Sequence, residues 1–167
     1  MSSSIEIKPT YRPITADDQS LLLRLYIESR EGEFAAMGWP PAQLEMFLQM
    51  QFNAQKQSYE LIYPDAEKSI IQVEGTDVGQ LVVNDSKNCL TLVDISVLSG
   101  FRNQGIGGIV VRKLQTRAAE SKVPLVLHVL RNSDALRLYN RLGFVISNES
   151  DIHFEMTWTL RDQAQPD

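Results

Sequence analysis

Between Thr91 and Leu130 the chain reads as strand, glycine turn, helix and strand, and that order leaves few folds open. The run "TLVDISVL" is apolar and rich in β-branched residues, and it leads into "SGFRNQGIGG". Ile106, Val110, Leu114 and Ala118 then recur every fourth residue, with Ile109 widening the stripe, as an amphipathic helix requires. "VPLVLHVL" follows, apolar on both alternating faces, the pattern of a strand covered on both sides. Two strands joined through a crossover helix run parallel.

The flanking sequence extends this unit at both ends. "IEIKPTYRPI" alternates like a strand, and its prolines place it at a sheet edge. "TADDQSLLLRLYIESR" reads as a helix with Thr15 or Asp17 at its N-cap. "PAQLEMFLQMQFNAQKQSY" reads as a second helix, with Pro41 in its first turn and one stripe through Leu44, Phe47, Leu48 and Gln51/Phe52. Met37, Met46 and Met50 are expected to fill the core. "SIIQVEG", "DVGQLVVND" and "NCLTLVDISVL" form a meander of three strands separated by turn signals, with Cys89 in the last of them. "NSDALRLYNRLGF" is a short helix with Gly143 just past its end, and two more strands close the chain. The expected order is β-α-α-β-β-β-α-β-α-β-β. Such an order gives a mixed α/β (α+β) chain, a single domain over residues 1–167 with an ordered core at about 5–160.

Glycines leading from a strand into a helix expose backbone N–H groups at the helix N-terminus, which suits a phosphate or pyrophosphate. A P-loop is excluded, because Ile106 stands where the motif needs lysine. The dinucleotide fingerprint is excluded as well: after Gly105 and Gly107 the third glycine is replaced by Val110. The segment Arg102-Asn103-Gln104-Gly105-Ile106-Gly107 instead matches the turn [QR]-x-x-G-x-[GA]. Together with "LVDISVLSGFR" before it and "HVLRNSDALRLYNRLGF" after it, this turn resembles the GCN5-related N-acetyltransferases, most specifically from about Val93 to Phe144.

That resemblance implies the GNAT fold: a mixed, largely antiparallel sheet of about seven strands, flanked by about four helices, with parallel strands 4 and 5 splayed apart. It implies acetyl-CoA as co-substrate, its pyrophosphate held by backbone N–H groups of Arg102, Asn103, Gln104, Gly105, Ile106, Gly107 and Gly108. Ile95, Ser96 and Val97 would bond the pantetheine arm, one of their amides would polarise the thioester carbonyl, and Asn132 would reach the pantetheine or its neighbouring loop. Tyr139 matches the tyrosine that protonates the leaving thiolate; the other reading is a tyrosine packing its helix onto the sheet. Asp94, a carboxylate between Val93 and Ile95, is the candidate base, against a solvent-facing or ion-paired aspartate. Glu31 and Glu33 are the alternative carboxylates at the acceptor pocket, with Phe34 and Trp39 as its apolar wall, against a solvated turn. Acidic residues at Glu28, Glu31 and Glu33 hint at a cationic acceptor.

The activity so implied is transfer of acetyl from acetyl-CoA to a primary amine of a small molecule or peptide, by direct attack in a ternary complex. The alternative is an acyl-CoA sensor or interaction module with the same fold and little catalysis. A longer acyl donor or an alcohol acceptor would be a variant of the enzyme reading. Homodimers are common in the family, and nothing in the sequence requires or excludes one. A net charge of −5 and no basic run longer than two argue against nucleic acid. His128 and His153 have no partner at ligand spacing, so no metal is expected, and no G-x-S-x-G marks a serine nucleophile. The opening "MSSSIEIKPTYRP" has neither a basic nor an apolar signal region, and no apolar run spans a membrane. One cysteine suits a reducing cytoplasm.

Overall fold

Seven strands form a sheet in the order β1-β2-β3-β4-β5-β7-β6. They are β1 (Thr10–Pro13), β2 (Glu67–Val73), β3 (Thr76–Asp85), β4 (Leu90–Val97), β5 (Leu125–Leu130), β6 (Val145–Glu149) and β7 (His153–Trp158). Four helices accompany them: α1 (Gln19–Phe34), α2 (Pro41–Ile62), α3 (Ile106–Ser121) and α4 (Ala135–Arg141). The computed structural model describes residues 6–160. Among these residues the element order is the one expected, and only β4 and β5 pair in parallel.

The β3–β4 register contains the feature that shapes the site. Val82 stands opposite Asp94 and Val83 opposite Leu92, so Val93 is an extra residue on β4. A bulge of this kind bends its strand and increases its twist. On the other edge of β4, pairing with β5 covers only Leu90–Leu92 against Leu125–Leu127. Both strands continue past that point, β4 along β3 to Val97 and β5 along β7 to Leu130. The sheet therefore opens between them where the bulge begins.

Two layers cover the sheet. On one face α3 buries Ile106, Val110, Leu114 and Ala118 against Leu81, Leu92 and Leu127. Val111, wholly buried, widens this stripe in place of the half-exposed Ile109. On the other face α1 seats Leu22 and Leu25 on Ile70 and Leu98, a smaller cluster. Thr15 and Asp18 cap the turn before α1, as a reciprocal box. Arg12 of β1 forks to Asp18 at 2.7 Å and Asp77 at 2.8 Å, fastening the sheet edge to that turn. Its guanidinium holds the Asp18 carboxyl well below the usual carboxylate range.

Three expectations change. Met37, Met46 and Met50 are 56%, 69% and 69% exposed, not core filler. They lie on the outer side of the α1–α2 layer, because Leu48 and Phe52 already supply the inward stripe of α2. β5 is fully covered on one face only: Leu125, Leu127 and Val129 are buried while Val126 is half-buried and His128 exposed, α1 packing chiefly on β3 and β4. Cys89 sits in the turn before β4, its Sγ 3.6 Å from the hydroxyls of Ser86 and Thr91.

Candidate functional site

The glycine turn has the geometry of an anion cradle. Asn103 (φ 62°) and Gly105 (φ 84°) both adopt the left-handed conformation, which asparagine and glycine tolerate best. The first bond of α3 runs from the Ile109 N–H to the Gly105 carbonyl, so the N–H groups of Ile106, Gly107 and Gly108 precede any intrahelical acceptor. Two side chains brace the turn from behind. Arg102 Nε donates to the Val97 carbonyl at 3.1 Å, and Gln104 Nε2 donates to the Gly100 carbonyl at 3.5 Å.

A cleft of about 630 Å³ opens in front of this turn. Its floor is Ile95, Ser96 and Val97 of β4, and its rim includes Arg102, Asn103, Gly105, Ile106, Gly107 and Gly108. The opposite wall comes from α4, where Arg137 and Arg141, one helical turn apart, add positive charge. These two arginines were not singled out from sequence, although an i, i+4 pair of cations facing a phosphate-type turn was a readable signal. Gln104 and the exposed Asn132 do not line the cleft.

Where β4 and β5 part, a second pocket of about 260 Å³ contains both Asp94 and Tyr139. Tyr139 is 6% exposed, meets Phe144 edge-on at 5.6 Å, and belongs to both this pocket and the cleft. Burial pushes its phenol up to about 12, with the Asp94 charge adding to the effect. The Asp94 carboxyl is pushed up to about 6, chiefly by burial, against the opposing influence of the Arg30 charge and of a bond from the Ile95 N–H. Glu33 lines the same pocket and lies 3.8 Å from Arg30. Tyr59, His128 and Ser133 complete it. Tyr59 had a sequence signal: it continues the inward stripe of α2 as a polar residue.

Asp94 also borders a third, inner pocket of about 160 Å³ between β2–β4 and the α1–α2 layer. Arg30, Gln55 and Tyr59 are shared by the inner pocket and the second one, so the three spaces form a chain with Asp94 and Tyr139 at its middle link. Other expected acceptor residues lie elsewhere. Phe34 and Trp39 line none of these spaces; they stack with Phe47 at the α1–α2 corner. The Glu28 carboxylate accepts from the Ser99 N–H at 2.8 Å and from Arg24 at 3.2 Å. The side chain of Glu31 lies outside the described residues.

Residues 65–146 match the family model of the acetyltransferase (GNAT) domain, a span that holds the bulged strand, the glycine turn and Tyr139. The chain carries a GNAT acetyltransferase domain. Solved structures agree on the fold. A PaiA N-acetyltransferase from Thermoplasma acidophilum, in complex with coenzyme A, superposes with a TM-score of 0.69 at 15% identity, covering 91% of this chain and 99% of that one. A GNAT acetyltransferase from Elizabethkingia anophelis with acetyl-CoA bound gives 0.59 at 17% identity, with 91% and 98% covered. A GCN5-related N-acetyltransferase from Rhodopseudomonas palustris gives 0.65 at 17% identity, with 95% and 100% covered. No curated protein matches the sequence. Among the described residues this GNAT chain has no group of side chains suited to hold a metal, and no helix long and apolar enough to cross a membrane.

Proposed function

We propose that this GNAT protein transfers the acetyl group of acetyl-CoA to a primary amine by direct attack in a ternary complex. The observation that carries the reading is the shared position of Asp94 and Tyr139. Both line the pocket where β4 and β5 part, with a phosphate-type cleft on one side and an inner pocket on the other. Neighbours with the same fold bind coenzyme A or acetyl-CoA.

In this reading the N–H groups of the 103–108 turn hold the pyrophosphate, with Arg102, Arg137 and Arg141 supplying compensating charge. The pantetheine arm lies along the free edge of β4 at Ile95, Ser96 and Val97, where a backbone amide polarises the thioester carbonyl. The acceptor enters from the side of α1 and α2. Its nitrogen must lose a proton to attack. Asp94, ionised at neutral pH with its carboxyl at about 6, takes that proton, and partial burial of the amine lowers its own pKa toward the carboxylate. The nitrogen–carbon bond forms as the carbon–sulfur bond breaks, and Tyr139 donates its proton to the departing sulfur. A phenol raised to about 12 stays protonated throughout the working range, the state a donor needs.

Calorimetric titration of acetyl-CoA tests the reading, with Gly107→Trp alongside. Micromolar binding that the variant loses supports it, as does release of free thiol once an amine is supplied. A folded wild type that does not bind acetyl-CoA overturns it.

A further inference from the structure

The inner pocket carries a charge balance that acetyl transfer alone does not require. Arg30 of α1, Lys56 of α2 and Lys68 of β2 line it, against one carboxylate, Asp94. Arg30 is partly engaged, lying 3.8 Å from Glu33 and over the ring of Tyr26. The Lys56 Nζ donates to the neutral Gln19 amide at 3.4 Å. None of the ion pairs among the described residues involves Lys56 or Lys68.

Register explains how a lysine comes to share a pocket with the candidate base. Lys68 stands opposite Val82, and Val82 opposite Asp94. Directly opposed residues point to the same face, so Lys68 and Asp94 rise from that face two strands apart, about 10 Å along the sheet. A volume of about 160 Å³ holds on the order of ten water-sized groups. The occupant is therefore a small molecule, with a proton donor near Asp94 and a counter-charge for two lysines several ångströms away. A second ammonium in that place would face Lys56 and Lys68, so the pocket disfavours polyamines.

We infer that the acceptor is a small amine bearing a carboxylate or phosphate, its nitrogen at Asp94 and its oxyanion held by Lys56 and Lys68. This rests on the acetyltransferase reading and narrows its substrate class. It also reverses the expectation drawn from the acidic residues: Glu28 and Glu33 already face cations or an N–H donor of the protein.

The test compares acetylation of γ-aminobutyrate, glutamate and 2-aminoethyl phosphate with that of n-butylamine, ethanolamine and spermidine. An anionic probe is expected to exceed its neutral counterpart by about tenfold or more in kcat/KM, the scale of one charge-assisted hydrogen bond. Lys56→Gln and Lys68→Gln should raise KM for that probe, leave kcat, and leave n-butylamine unaffected. The carboxylate and phosphate arms identify the oxyanion. Preference for spermidine or n-butylamine, or unchanged KM in both lysine variants, overturns the inference while leaving acetyl transfer standing. If no probe is acetylated, calorimetry of the same probes into coenzyme A-saturated protein decides. Binding of an anionic probe, lost in the lysine variants, sustains the anion site even as the transferase reading fails; binding of none overturns it.

Discussion

Asp94 carries a cost to the fold beside the role proposed for it in the chemistry. Its carboxyl sits at about 6 in the folded chain against about 3.9 in an unfolded one. Between those values the folded state holds a proton that the unfolded state has lost. Stability is therefore greatest below pH 4 as far as this group is concerned, and falls as pH rises to about 6. Asp94→Asn removes that dependence: the variant should melt higher than wild type above pH 6, by the equivalent of about 2 kcal/mol, with the gap closing at pH 4. Its kcat/KM should fall by about a hundredfold or more, the ordinary worth of a positioned base. The wild-type profile should rise through pH 6, and a flat profile from 5 to 8 would remove Asp94 from the role. Tyr139 calls for the milder change Tyr139→Phe, which keeps the ring against Phe144 and deletes only the hydroxyl. Its melting temperature should stay close to wild type while kcat drops by about ten- to a hundredfold; an unaltered kcat would leave the tyrosine with packing alone. Both residues were singled out in the sequence, Asp94 as a carboxylate inside an apolar strand and Tyr139 through the family resemblance of the run that ends at Phe144. Lys68 was not, because what matters there is its cross-strand register to Asp94, which no local pattern states.

The bulged β4 depends on how closely β3 follows it. Gly79 stands opposite Val97, and a Cβ there would run into the Ser96 carbonyl. The clash is with backbone, so it is relieved only by moving a strand. Gly79→Ala should destabilise by about 1–3 kcal/mol in denaturant melts. Because the displaced strand is the cleft floor, it should also weaken acetyl-CoA binding, whereas Gly75→Ala, in an open turn, should leave binding alone. The order of elements along the chain and the parallel crossover could be read from hydrophobic period and turn chemistry. The bulge at Val93 could not, since an extra residue in a strand leaves the apolar run unbroken. The α1–α2 layer was read less well for a related reason. Periodicity locates an inward stripe, but it does not say that Met46 and Met50 fall outside it once Leu48 and Phe52 have filled the gap.

The proposed ligand seam lies between unequal halves of the molecule. α3 seals one face with the larger core, while α1 and α2 rest on a smaller cluster, and the sheet itself is unpaired between β4 and β5 beyond Leu92. Local opening is easiest where few apolar contacts and free backbone groups coincide. In hydrogen exchange of the free protein, the amides of α2 should therefore exchange well before those of α3 and β3. Acetyl-CoA, filling the seam, should slow exchange at residues 95–97 and 103–108 and leave the β6–β7 hairpin unchanged. At a hundred times its dissociation constant it should add about 2.7 kcal/mol to stability, which for a chain of this size raises the melting temperature by roughly 5–10 °C. Protection confined to the turn, with β4 unaffected, would mean that the nucleotide end binds while the thioester never reaches Asp94. The reaction would then have to be sought away from the seam.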